Sequence, residues 1–151
     1  MTLKAHEFAV KKIFSSDFDL AIPHYQRPYA WGTEQAEQLL SDLVDATERD
    51  GAEPYFLGSL VLVKPDDDAP MADVIDGQQR LTTLSLVIAV LRDLAADPGT
   101  QSALSAMVLE PGEPLDGIAA KPRLALRAQD AAFFSQYVQL SLIHISEPTR
   151  L

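Results

Sequence analysis

The chain has 151 residues, 47% of them hydrophobic, no cysteine and a formal charge of −10. That length makes one domain with a real core rather than two large ones, and the missing cysteines exclude both a disulfide framework and a thiolate metal site. The acidic balance argues against a segment that grips duplex DNA unaided, since phosphate binding needs at least one basic face.

The charge is unevenly distributed. Residues 1–31 hold four Lys/Arg against three Asp/Glu (+1), and residues 32–151 hold eight against nineteen (−11), with Lys11-Lys12 the one basic cluster. Met1 to Lys12 mixes charge with scattered apolar residues and lacks the continuous apolar run of a secretory leader. Leu84 to Leu91, eight residues with a Ser among them, is far too short to cross a bilayer. A cytoplasmic protein without membrane segments is expected.

In chain order, a short helix is predicted over Glu7–Phe14, then a strand at Leu20-Ala21-Ile22 that Pro23 ends by removing a ladder donor. Pro23 to Gly32 reads as a loop, stiffened by prolines 23 and 28. It carries Tyr25, Gln26, Arg27, Tyr29 and Trp31. The aromatic rings suit base stacking, worth roughly 1–3 kcal/mol per base, and equally suit a cluster that closes the core. Thr33 is placed as the N-cap of a second helix, striped by Ala36, Leu39, Leu40, Leu43, Val44 and Thr47 and ending near Asp50-Gly51.

Tyr55 to Val63 is apolar at nearly every position, which predicts a strand buried on both faces. Gly58 within it marks a bulge or a close backbone approach. Lys64 to Met71, with Asp66-Asp67-Asp68 as a solvated tip, is a hairpin-type connection to a strand at Ala72–Ile75. The next helix is expected to bury Leu81, Leu84, Val87 or Ile88, Leu91, and Leu94 or Ala95. Asp97-Pro98-Gly99 ends it. A short helix at Ser102–Val108, a strand at Arg123–Leu126 and a helix at Gln129–Val138 with Phe133, Phe134 and Tyr137 complete the domain.

The strand-to-helix turn at 76–83 concentrates chemistry: Asp76, Gly77, Gln78, Gln79, Arg80, Thr82 and Thr83. The first N–H groups of a helix lack internal partners and sit at the positive end of its dipole, so this turn suits an anion, above all a phosphate. Gly77 allows positive φ or close approach of a ligand, Arg80 offers a planar fork for phosphate oxygens, and the glutamine amides can hold a sugar, a base edge or an attacking water. Thr82 and Thr83 can donate to phosphate or ligate a hydrated Mg²⁺. The plainer reading has Asp76 capping the helix, the glutamines and Arg80 in a solvated first turn, and the threonines packed inside. His6, His24 and His144 show no metal-ligand spacing.

Three separated stretches carry a resemblance: Ile22-Pro23-x-Tyr25-Gln26-Arg27-Pro28-Tyr29-x-Trp31, Tyr55-Phe56-Leu57-Gly58-Ser59, and Asp76 through Leu84. Together with Pro122-Arg123-Leu124 and Asp130-x-x-Phe133-Phe134, they make residues 5–139 closely similar to the amino-terminal domain of the GmrSD family of modification-dependent (type IV) restriction endonucleases and related phage-defence proteins. The resemblance implies an α/β (α+β), ParB/sulfiredoxin-like fold, with a small mixed sheet flanked by helices, that binds and hydrolyses a nucleoside triphosphate. Asp76, Gly77, Gln78, Gln79 and Arg80 match the motif given that activity. Tyr25, Gln26 and Arg27 line the same cleft or the path by which modified DNA is sensed. Asp76 is then the metal or water organiser for Mg²⁺, Gln78 or Gln79 positions water, and Arg80 with Arg27 neutralises the phosphates.

Family members of full length cut DNA through an HNH-type nuclease domain; no such metal site lies in these residues, so the chain is not expected to cleave DNA by itself. Two alternatives have no turnover: a module that senses modified DNA, and a regulatory scaffold that binds nucleotide or a neighbouring subunit. Ser141 to Leu151 resembles a tail found on unrelated truncated reading frames, which places the domain at 1–140 and makes 141–151 a non-native end.

Overall fold

The computed structural model describes residues 4–48 and 57–139. The expected end of the second helix near Asp50-Gly51, Tyr55-Phe56 and the tail at 141–151 lie outside the described residues. Helix α1 is short (Val10–Ile13), followed by strand β1 (Asp19–Ala21) and helix α2 (Thr33–Glu48). A hairpin pairs β2 (Val61–Val63) with β3 (Met71–Asp76) and leads into α3 (Gln78–Leu94). Helix α4 (Pro98–Val108), strands β4 (Leu109–Glu110), β5 (Lys121–Pro122) and β6 (Leu124–Ala125), and helix α5 (Ala128–Gln139) follow.

The main sheet has the order β2-β3-β1-β6, in which β1 is parallel to both β3 and β6 while β2 runs antiparallel to β3. Helices α4 and α5 pack against α3. The result is the expected mixed α/β domain with a small mixed sheet and flanking helices, consistent with a ParB/sulfiredoxin-like arrangement. Leu20 and Val74 on the two inner strands are fully buried, and Phe14, Leu39, Ala72, Leu81, Leu84, Ile88, Leu124 and Phe134 close the core around them.

The sheet corrects one expectation outright. Of the described part of this stretch, residues 57–63, only 61–63 pair, at the sheet edge rather than buried on both faces, with Val61 and Val63 exposed. Gly58 turns the backbone out of extended geometry at φ +138, and the register slips between Val61 and Leu62. Thr33 is likewise inside its helix rather than capping it, for Gly32 supplies the first carbonyl, to the N–H of Ala36, and Gln35 Oε1 accepts from the N–H of Gly32.

Helix α3 starts at Gln78 and buries a different stripe from the one expected at its far end. Leu91 and Leu94 are exposed while Arg92 is buried beside Asp93. Helix α4 begins four residues before the expected Ser102, because Asp97 accepts from the backbone N–H of Thr100 and Pro98 occupies the first turn. The acidic loop 66–68 is a solvated tip, as expected, with Lys4 and Lys64 both reaching Asp67.

Candidate functional site

The three parallel strands end at the same edge of the sheet. The carboxyl end of β1 gives the loop 22–32, that of β3 gives the start of α3, and that of β6 gives the start of α5. In open α/β sheets this edge is where ligands bind, because each strand hands over to a loop or helix start there. Ile22, Arg27, Tyr29, Gln78, Gln79, Thr82, Leu126, Arg127 and Asp130 line a cleft at that edge. It encloses about 10 Å³, room for roughly one water molecule.

Gly77 makes the turn. Its φ of +98 is a left-handed value that favours glycine, and a Cβ there would come within 2.9 Å of Leu60 and 3.2 Å of the Ser59 carbonyl. No side chain caps α3, and its first internal bond runs from Leu81 N–H to Gly77 C=O. The plainer sequence reading of Asp76 as the cap therefore does not hold; Asp76 is exposed at the last position of β3.

The aromatic loop is stitched onto the first turns of α3. Gln79 does most of this: its Nε2 donates to Pro28 C=O at 3.2 Å and its Oε1 accepts from Ala30 N–H at 2.8 Å. A side-chain amide here substitutes for a strand neighbour, satisfying a carbonyl and an N–H two residues apart. Gln78 Nε2 reaches Gln26 Oε1 at 3.3 Å. The Thr83 hydroxyl donates to Gln79 C=O, so the Tyr29 hydroxyl, 2.8 Å away, is the donor to Thr83. Thr82 donates to Gln78 C=O and lines the cleft. Both threonines are buried, as the packing reading expected.

Arg80 lies apart from the cleft lining. Its guanidinium stands 5.9 Å from the centre of the Trp31 ring and passes over Gly58, where a Cβ would sit 2.8 Å from Cζ. The Nε of Arg80 is buried and without a hydrogen-bond partner among the described residues. The close backbone approach expected at Gly58 is thus an approach to Arg80. Trp31 packs half-buried against the core, and Tyr25 is 73% exposed.

Of the arginines, Arg27 and Arg127 line the cleft and Arg80 does not. Arg127 was not singled out from sequence. Its signal was a second strand-to-helix turn, between the strand expected at 123–126 and the helix expected at 129–138; that this turn meets the first depends on β6 being parallel to β1. Arg127 Nη1 donates to Gln26 C=O at 3.1 Å, joining the third strand end to the loop.

Comparison with protein families matches residues 10–149 to the GmrSD restriction endonuclease, N-terminal domain. The chain belongs to this family. No curated protein matches it. Membership makes the chain a component of a restriction or phage-defence system, and the stretches that carried the resemblance are those that converge here: the loop 22–31, Gly58 and the turn 76–84. No helix among the described residues is long and apolar enough to cross a membrane.

Among the described residues no group of three or more His, Cys, Asp or Glu could hold a metal ion.

Proposed function

We propose that this GmrSD-type domain binds and hydrolyses a nucleoside triphosphate, as the regulatory part of a modification-dependent restriction or phage-defence system. The observation that carries the reading is the convergence of an uncapped helix start at Gly77–Gln78 with Arg27 and the Gln78 amide at the carboxyl ends of parallel strands. Such a corner favours negative charge through backbone N–H groups and the helix dipole.

Roles divide by what each side chain already holds. Both ends of the Gln79 amide are engaged by the loop, so Gln79 is a positioning residue. Among the described residues the Gln78 amide has a long contact to Gln26, and it is the group that orients the attacking water. Arg27 faces the phosphates, and Asp76, exposed beside the turn, is the carboxylate for Mg²⁺. When bound, that ion would neutralise phosphate charge. Arg80 acts on the Trp31 side and fixes the loop's far end. Ligand pockets are commonly 300–1,000 Å³, so loop 22–32 moves outward to admit a nucleotide into so small a cleft. DNA cutting belongs to an HNH-type nuclease domain or subunit that reads the nucleotide state of this one.

Tyr25 supports a second reading, a sensor of modified DNA without turnover, because its ring stands open to solvent on the loop that carries Arg27. Calorimetry with triphosphate and Mg²⁺, paired with phosphate release, tests the first. Wild type should bind and turn over, and Gln78→Ala should keep affinity within a few-fold while turnover falls roughly 100-fold, the scale of misplacing a reacting group by about 1 Å. Binding of modified DNA with neither nucleotide affinity nor phosphate release would replace the first reading by the second.

A further inference from the structure

We infer that the outer face of α2 is a docking surface for a cationic amphipathic helix of the nuclease domain or subunit of the same restriction system. The apolar stripe Ala36, Leu39, Leu40, Leu43, Val44 and Thr47 is wider than the face the core takes up. Leu39 is buried and Leu43 packs half-buried against the core, whereas Leu40 and Val44, one turn apart, are 43% and 53% exposed. A surface helix ordinarily keeps its outward side polar. Here Glu37, Leu40, Ser41, Val44 and Asp45 line an open groove of about 430 Å³.

Charge selects the occupant. Over Thr33–Glu48 the helix carries Glu34, Glu37, Asp42, Asp45 and Glu48 and no Lys, Arg or His. None of these five carboxylates has an ion-pair partner among the described residues. A helix laid in the groove covers Leu40 and Val44 with apolar anchors spaced three or four apart, and meets Glu37 and Asp45 with flanking Lys or Arg. A second copy of this chain would set five carboxylates against five, and nucleic acid or an anionic lipid surface would be repelled likewise. A part that cuts DNA carries cationic surface to neutralise phosphates, and this chain belongs to the N-terminal domains of such endonucleases. Docking therefore needs family membership alone, not nucleotide binding. Position also links the surface to the candidate site: loop 22–32, held by Gln79 at Pro28 and Ala30, runs straight into α2, whose first carbonyl is that of Gly32. Displacing the loop displaces the amino end of the docking helix.

The test titrates this chain with the nuclease protein of the same system by calorimetry at about 50 and 300 mM salt, a range over which exposed charges become screened. Leu40→Ser/Val44→Ser, both at exposed positions, should lose roughly 10- to 100-fold in affinity at either salt, the scale of removing apolar anchors from an interface. Glu37→Lys/Asp45→Lys should lose roughly 10-fold or more at low salt and much less at high salt. Circular dichroism verifies the fold of each variant. Wild-type affinity in either double variant, or no binding by wild type, overturns the inference. A dimer of this chain in sedimentation velocity that Leu40→Ser/Val44→Ser abolishes also overturns it, since the face would then belong to a second copy. Triphosphate binding, measured in parallel, should be equal in wild type and both variants; its absence throughout would remove the nucleotide reading and leave the docking result standing.

Discussion

Gly58→Ala is expected to damage the site through Arg80, and the size of the effect follows from two contributions. At φ +138 an L side chain is strained by about 1–3 kcal/mol. Its Cβ would also sit 2.8 Å from Arg80 Cζ and closer still to Nη1, so the guanidinium must move off Trp31. Loss of that cation–π contact adds about 0.5–1 kcal/mol. The total, about 1.5–4 kcal/mol, lowers the melting temperature by roughly 3–16 °C for a domain of this size. In an Arg80→Ala background the obstacle is gone and only the φ strain remains. A double-mutant cycle by urea unfolding should therefore show a coupling of about 0.5–1 kcal/mol. Because Trp31 is the only tryptophan, its emission reports directly on Arg80, and Gly58→Ala should shift it as Arg80→Ala does. Additivity within about 0.3 kcal/mol, with unshifted Trp31 emission in Gly58→Ala, would refute the contact.

Two further outcomes are expected. Gln79→Ala removes both bonds that hold Pro28 and Ala30, about 1–3 kcal/mol at 0.5–1.5 each; chymotrypsin cleavage among Tyr25, Tyr29 and Trp31 should speed up roughly 5- to 100-fold, and an unchanged rate would show that the loop is held by other contacts. Asp97, whose carboxyl is held below its ordinary 3.8 by the Thr100 backbone and hydroxyl bonds, stabilises α4 fully above that value and loses its contribution as pH falls through the lowered one. Asp97→Asn keeps a good cap and should leave neutral-pH melting nearly unchanged while flattening the acid side of the melting profile; an acid slope identical to wild type would contradict this.

Much of the local structure could be read from residue pattern. The strands at 20–22 and 72–75, the hairpin between 63 and 71, and the helix after Gly77 came from apolar periodicity, Pro23 and one glycine, all acting over a few residues. The errors have one cause as well. Residues 55–63 look like a buried strand because they are apolar, but burial depends on what lies on either side, and β2 turned out to be an edge. Leu91 and Leu94 fit the helical stripe yet are exposed, while Arg92 between them is buried. The site showed the same division. The loop 22–32 and the turn at 76–83 were each recognisable, while their joining through Gln79 and Gln78 spans about fifty residues.

By itself, the sequence determined the family, the glycine-started helix and the concentration of amides and guanidiniums at one turn, because propensity, capping and motif identity are short-range properties. Only the tertiary structure decided which arginines share the cleft. Parallel pairing of β6 with β1 brings Arg127 to Gln26 from far along the chain, and the close approach of Gly58 draws Arg80 toward Trp31. Strand direction and neighbour order are set by packing of the whole core, which no local run of residues encodes.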